Sequence, residues 1–344
     1  MYYVISYMLD KVMDLPYQML ESLTLYSEIR GYDGIDEVVI IGMGGSGIVG
    51  DFVKSIIGDE FRVNVVKSSN IPKMDNNTLA IAVTYSGKTR ETLIAVKKAT
   101  SYCAKTVLVT SNNNKDDIFS NWNGQGIQYI RVNGNGFSRT SLGYMLLPVL
   151  LVLEHSNVIS NIRKDVKEAV NILCNIAKDK SRFEELKYRL NNKMLAIYAN
   201  EFTQAAALRW KQMLNENAKM HCYYDVFPEL LHNEIETWYK DASSNALVML
   251  RDIEYEKSKE HGYDLYALIN KAKELIRSKG ADVIELFSIG NSRLARLLSL
   301  SYVGDIMSVH LAYLNNVDPS RIPNIEYIKS MSREESSSIG CVKL

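Results

Sequence analysis

The chain has no charge imbalance: 40 lysines and arginines offset 40 aspartates and glutamates. That removes the electrostatic case for nucleic acid or an anionic membrane surface, although a local basic pocket stays compatible with it. Cysteines are few. Cys103, Cys174, Cys222 and Cys341 stand far apart without paired spacing, which argues against a disulfide framework and for reduced thiols in a cytosolic protein. No Cys-x-x-Cys occurs, and the five histidines (His155, His221, His232, His261, His310) show no helical metal-ligand pair. Metal catalysis therefore has little support, His221 beside Cys222 being a weak exception. A Gly-x-Ser-x-Gly nucleophile elbow is also missing. The N-terminus lacks the basic start and unbroken apolar run of a secretory signal. The most apolar run, Leu142 to Leu153, contains Pro148 and is too short to span a bilayer, so it reads as a buried helix.

What is present is an ordinary globular composition, 47% hydrophobic over 344 residues, long enough for two domains. In the first half, strand-like runs at Glu37–Ile41, Arg62–Val66, Leu79–Thr84, Thr106–Thr110 and Ile127–Val132 alternate with helical spacing at 9–30, 47–57, 89–99 and 140–154. The second half repeats that rhythm, without a sequence repeat. Strands fall at Met194–Tyr198, Ala246–Leu250 and Val283–Phe287, and helices at 162–190, 202–214, 263–278 and 292–314. This alternation predicts an α/β fold with parallel sheets covered on both faces. The expected units are 1–155, 156–330, and a tail from 331 to 344 rich in serine and charge, expected to lack structure.

Two loops follow predicted strands and open predicted helices. Gly42-Met43-Gly44-Gly45-Ser46-Gly47 allows a tight turn and close approach of an anion to backbone amides. Its glycine spacing also fits a dinucleotide fingerprint, but the second strand ends Val65-Val66-Lys67-Ser68-Ser69 with no acid for a ribose. That disfavours NAD and leaves NADP formally open through Lys67. A turn needed only for packing is the plain alternative. Thr84-Tyr85-Ser86-Gly87-Lys88-Thr89 places three small hydroxyls around a glycine, suited to phosphate oxygens. Capping by Thr89 is the alternative, although a cap needs only one hydroxyl.

Between Asn215 and Glu234 the chain offers a carboxylate, Glu216, and an imidazole, His232. Such a couple suits proton movement on a carbon next to a carbonyl. Asparagine caps, a structural histidine, and the rival carboxylates Glu201, Glu229 and Glu234 leave the spacing undecided. Arg139, at a predicted strand-to-helix junction, could offset developing negative charge or lie at the surface. Spacing assigns no role to Lys329.

Taken in order, Gly42–Gly47, Thr84–Thr89, Gly136-Phe137-Ser138-Arg139, Leu214-Asn215-Glu216-Asn217-Ala218-Lys219 and Pro228-Glu229-Leu230-Leu231-His232-Asn233-Glu234 resemble the bifunctional phosphoglucose/phosphomannose isomerases of archaea and some bacteria. The resemblance covers about residues 35 to 330. It implies two sugar isomerase (SIS) domains, each a flavodoxin-like doubly wound parallel sheet. It implies interconversion of glucose 6-phosphate and mannose 6-phosphate with fructose 6-phosphate through a cis-enediol, with no cofactor and no metal. By the same resemblance, Gly44, Gly45 and Ser46 line the sugar-phosphate site, and Thr84, Ser86 and Thr89 bind the phosphate. Arg139 stabilises the enediolate, and Glu216 shuttles the proton between C1 and C2. His232 assists ring opening, contributed across a homodimer, and Lys329 is the C-terminal active-site lysine. Thr84 replaces a usual serine, and Lys88 a common asparagine. Asp318-Pro319-Ser320 resembles Asp-Pro-Thr, and the mannose activity depends on whether Ser320 does the work of a family threonine. A sugar-phosphate sensor without turnover and an NADP oxidoreductase are the competing functions.

Overall fold

Among the described residues the β-branched runs form nine strands in two wholly parallel sheets. In the first, β1 (Glu37–Gly42), β2 (Arg62–Val66), β3 (Thr78–Val83), β4 (Lys105–Thr110) and β5 (Gln128–Arg131) lie in the order β2-β1-β3-β4-β5. In the second, β6 (Met194–Asn200), β7 (Cys222–Phe227), β8 (Asn245–Arg251) and β9 (Asp282–Phe287) lie in the order β7-β6-β8-β9. The second sheet repeats the first four places of the flavodoxin-like order. The computed structural model describes residues 2–102, 105–114, 126–134 and 136–338, with 332–338 by backbone alone.

Alternation along each strand divides the core. In the first sheet Val38, Ile40, Leu79, Ile81, Val107 and Val109 face one large cluster, while Val39, Ile41, Ala80, Ala82 and Leu108 face a smaller one under the helix Arg90–Ser101. In the second sheet Leu195, Ile197, Val248 and Leu250 enter the same large cluster. Ala196, Tyr198, Leu247 and Met249 pack instead on the helix Leu265–Ser278. One continuous apolar layer thus lies between the sheets, filled by helices such as Gly44–Ile57, Leu142–His155 and Arg293–Leu314. Strands buried on both faces need the near-continuous apolar runs seen in the sequence. The helix Arg293–Leu314 is long and apolar enough to cross a membrane, but 83% of its apolar window is buried in this layer.

Four expectations change. The helical spacing at 9–30 is two helices, Tyr2–Met13 and Leu15–Ser22, followed by the tighter turn Leu23–Ser27, with Pro16 in the first turn of the second helix. The helical region 162–190 is two helices, Ile162–Lys178 and Lys180–Leu190. They are broken at Asp179, whose carboxylate accepts the Arg182 backbone N–H at 3.2 Å; such a cap starts a new helix. Strand β7 has no counterpart among the predicted strands. It is an edge strand with five half-buried residues, and Cys-Tyr-Tyr-Asp-Val-Phe lacks an apolar run. The segment after Ser330 is helical as far as Ser338, continuing Pro323–Ser338. Proline fits the first helical position, and the glutamates, lysine, methionine and arginine that follow are good helix formers. Residues 339–344, Cys103 and Cys341 lie outside the described residues; Cys174 and Cys222 are free thiols.

Candidate active site

Neighbouring strands β1 and β3 send their following helices to opposite faces of the first sheet. Gly44–Ile57 packs into the large central cluster, and Arg90–Ser101 into the smaller outer one. A crevice opens at the carboxyl ends of strands where connections diverge in this way. The two loops picked out in the sequence follow β1 and β3 at that end of the sheet.

In the first loop, Gly44 opens the helix and Gly45 passes close under another segment. A Cβ at Gly45 would lie 2.9 Å from Ser138 Oγ and 3.1 Å from the Arg139 nitrogen. Ser46 Oγ accepts the Tyr85 N–H at 3.1 Å and sits 3.5 Å from Ser138 Oγ, tying the loops after β1 and β3 and the Ser138 turn together. In the second loop Gly87 has φ +65°, and a Cβ there would come within 2.6 Å of Asn112 Cβ. Ser86 is exposed, and its oxygen accepts the Lys88 N–H at 3.2 Å. Thr89 occupies the N-cap position of Arg90–Ser101 but makes no side-chain cap bond, so capping does not account for its hydroxyl. Thr84 is buried, and its hydroxyl has no hydrogen-bond partner among the described residues.

Arg139 is deeply buried in the short turn Ser138–Thr140. Its Nε donates to Asn217 Oδ1 at 2.8 Å, and its Nη2 to the Pro319 and Ser320 carbonyls at 2.6 and 3.0 Å. Nη1 faces Glu216 Oε2 at 3.7 Å. Burial pulls the guanidinium below its ordinary pKa, while Glu216 and Asp318 push it back up. It remains a cation, since arginine starts far above neutrality.

Glu216 owes its place to an irregular helix end. Gln204–Met213 runs into a π turn, Leu214–Ala218, closed by Lys219 in the left-handed conformation at φ 56°. Turns of this width are frequent at functional sites. This one leaves the Glu216 side chain partly exposed at 25% while its neighbour Asn217 is fully buried against Arg139. Lys219 Nζ donates to the Glu216 and Arg321 carbonyls. Burial and then Arg139 lower its pKa, opposed by Asp318 and Glu216. Lys219 and Asn217 are thus site residues to which the sequence reading gave no role. Their adjacency to Glu216 in an Asn-Glu-Asn-Ala-Lys run was the available signal.

His232 is exposed at the end of the turn Glu229–His232, beyond the carboxyl end of β7. Glu216 lies before the opposite end, where Asn215 Nδ2 bonds the Met220 carbonyl and approaches Cys222 Sγ at 3.7 Å. The strand between them spans roughly 20 Å at about 3.3 Å per residue. One chain therefore does not bring His232 to Glu216. Lys329 is exposed on Pro323–Ser338 and forms no hydrogen bond or ion pair with Glu216 or Arg139 among the described residues. Ser320 does reach the site, but through its carbonyl; its hydroxyl is committed to Asp318 Oδ1 at 2.6 Å.

Lys67, the residue that left NADP open, is held 2.6 Å from Asp51. At the matching point of the second sheet, Glu201, Phe202 and Gln204 after β6 and Glu254 and Tyr255 after β8 line a cavity of about 670 Å³, and beside it the polar groups are paired with one another. Arg251 pairs with Glu256 and Glu285, and Asn200 and Thr203 bond each other. Among the described residues no group of three or more His, Cys, Asp or Glu is arranged to hold a metal ion.

The comparisons agree with this geometry. Residues 164–331 match the bacterial phospho-glucose isomerase C-terminal SIS domain, and residues 34–116 the SIS domain. A bifunctional phosphoglucose/phosphomannose isomerase of Caldicellulosiruptor bescii is 31% identical over 95% of this chain and 99% of its own. The same-named protein of Aquifex aeolicus is 32% identical over 93% and 96%. Among solved structures, a hypothetical protein of Thermus thermophilus superposes with TM-score 0.73 at 14% identity, covering 95% of this chain and 90% of its own. The tagatose-6-phosphate ketose/aldose isomerase of Escherichia coli gives TM-score 0.67 at 15% identity, covering 90% and 93%. With two loops tied together at one end of the first sheet, a carboxylate beside a buried guanidinium, and relatives matched end to end, the chain belongs to the bifunctional phosphoglucose/phosphomannose isomerase family.

Proposed function

We propose that the chain is an aldose–ketose isomerase interconverting glucose 6-phosphate and mannose 6-phosphate with fructose 6-phosphate. The observation that carries this is the state of Arg139: Nε and Nη2 are occupied by protein acceptors, and Nη1 faces Glu216. A carboxylate and a guanidinium nitrogen turned toward each other fit a proton transfer that leaves negative charge on adjacent oxygens.

The phosphate is held by the 84–89 loop and the amides that open Arg90–Ser101, which fixes the reacting carbons at a distance from the anchor. Glu216 removes the proton from C2 and returns it to C1, while Arg139 Nη1 offsets the charge on the enediolate. Ser138 adjoins both Arg139 and the Ser46 turn, so the reacting end lies next to the anchor. Ring opening falls to His232 of the partner subunit in a homodimer, with Lys329 assisting. Two features support assembly: the separation of His232 from Glu216 within a chain, and the exposed apolar residues Ile325, Ile328 and Met331 along one helix. A cytosolic setting fits the free thiols Cys174 and Cys222.

A coupled assay with each of the three hexose 6-phosphates, repeated after chelation, tests the proposal. Turnover of the glucose and mannose esters that survives chelation is expected. Binding of fructose 6-phosphate without turnover would make the chain a sensor, and loss restored by zinc would place it in a different chemistry.

A further inference from the structure

Arg139 is gripped from two sides by one closed circuit of buried groups. On the side-chain route, Nε donates to Asn217 Oδ1 at 2.8 Å. Asn217 Nδ2 donates to Ser308 Oγ at 2.9 Å, and the Ser308 hydroxyl donates to the Asp305 carbonyl at 2.6 Å. On the backbone route, the Arg139 carbonyl accepts from Arg209 Nη2 at 3.0 Å, and Arg209 donates twice to Asp305 Oδ2, at 2.9 and 2.7 Å. Both routes end on Asp305. Arg209, Asn217, Asp305 and Ser308 are all almost wholly buried.

The direction of each bond is forced. A guanidinium only donates, so Asn217 must present its oxygen to Arg139 and its amide nitrogen to Ser308. Ser308 must then accept, which sends its own proton to Asp305. A buried ion pair such as Arg209–Asp305 is weak evidence of stability, because desolvation consumes much of the attraction. Its position gives it a clearer use. Arg209 lies on the helix that leads into the π turn, while Asp305 and Ser308 lie on the central helix. Arg139 comes from the other half of the molecule, and Asn217 is the immediate neighbour of Glu216. One π turn therefore aims both the carboxylate and the arginine.

We propose that Asn217, Ser308, Arg209 and Asp305 are positioning residues for the isomerisation, holding Arg139 Nη1 at the point where the enediolate oxygen forms. This rests on the reading of Arg139 as the enediolate cation. The phosphate loop at 84–89 lies outside the circuit, so loss of the circuit should affect the chemical step rather than the anchoring of substrate.

The test uses Ser308→Ala, which removes one hydroxyl, and Asn217→Asp, which keeps the acceptor for Arg139 but loses the donor to Ser308. For each folded variant, kcat and KM for fructose 6-phosphate are measured. Inhibition is measured with inorganic phosphate and with a five-carbon aldonate phosphate, whose carboxylate resembles the enediolate. The expected result is a loss of about 10- to 100-fold in kcat, because small misplacements of a reacting group cost this much. Aldonate binding should weaken in parallel, with KM and phosphate inhibition unchanged. A kcat within twofold of wild type in both variants overturns the proposal. So does a KM or phosphate constant that worsens in step with kcat, which marks a merely structural role. Arg139→Lys in the same assays separates the two levels. Loss in Arg139→Lys with full activity in the circuit variants sinks the positioning role alone, whereas full activity in Arg139→Lys sinks the reading beneath it as well.

Discussion

Arg139 and Glu216 face each other across 3.7 Å, and the arginine brings to that meeting the one nitrogen that no protein acceptor holds among the described residues. The pair comes from opposite halves of the chain, Arg139 after β5 and Glu216 before β7. In the proposed mechanism, catalysis then depends on the contact between halves rather than on either sheet alone.

Replacing Arg139 with methionine removes the charge proposed to face the enediolate. Loss of one such stabilising group costs about 100- to 1,000-fold in kcat. Steady-state kinetics should show this with KM for fructose 6-phosphate within a fewfold of wild type. A rise in KM with kcat preserved would make Arg139 a binding residue instead.

Mixing two impaired variants tests the division of the site between subunits. In the proposed homodimer, Glu216→Gln alone and His232→Ala alone would each give only defective sites. If the two residues meet across the dimer, refolding the variants together gives hybrids with one doubly defective and one intact site. An equal mixture should then regain about a quarter of wild-type activity in a two-fold dimer. Absence of any recovery, with hybrids verified by mass, would mean that each chain supplies both residues to its own site.

Gly87 is held at φ +65° against Asn112. Alanine there meets both left-handed strain, about 1–2 kcal/mol, and a Cβ contact at 2.6 Å. Gly87→Ala should lower the melting temperature and raise the inhibition constant for inorganic phosphate, read by calorimetry and by competition against fructose 6-phosphate. An unchanged phosphate constant would remove the 84–89 loop from the anchor.

Burial raises the Asp305 carboxyl to about 6, with Arg209 opposing. An acid whose pKa rises on folding binds its proton more tightly folded than unfolded. Its contribution is therefore fully present below the ordinary value of 3.8 and is lost as pH rises through about 6. The change across that window is on the order of 2–3 kcal/mol, taken as an upper bound. Urea unfolding at pH 4.5 and 6.5 should show a flatter pH slope in Asp305→Asn than in wild type, whatever the absolute stabilities. Identical slopes would show that Asp305 keeps its charge throughout.

Much of this was legible in the residues. Strands buried on both faces, such as Thr78–Val83, advertise themselves as apolar runs, and the glycine and hydroxyl loops follow them directly. The Asn-Glu-Asn run pointed to Glu216. Strand β7 was hidden because an edge strand keeps polar and aromatic residues half exposed, and without it the distance between Glu216 and His232 was invisible. The roles of Asn217, Arg209 and Asp305 were hidden for another reason. They depend on contacts between residues far apart in sequence, as when Arg209 reaches both Asp305 and the Arg139 carbonyl, and no local pattern encodes such a contact. Lys219 carries no local signal of its own, since its turn toward the site follows from a π turn that spacing does not announce.

The most direct measurement follows the proton itself. Fructose 6-phosphate is incubated in deuterium oxide with the wild-type chain and with Glu216→Gln, and label at C1 of recovered ketose and at C2 of aldose is read by nuclear magnetic resonance. The wild type should incorporate deuterium while isomerising. Glu216→Gln should do neither, a loss of at least about 100-fold, while fructose 6-phosphate still raises its melting temperature. Exchange in Glu216→Gln near the wild-type rate, with substrate bound, would contradict the assignment of Glu216 as the base.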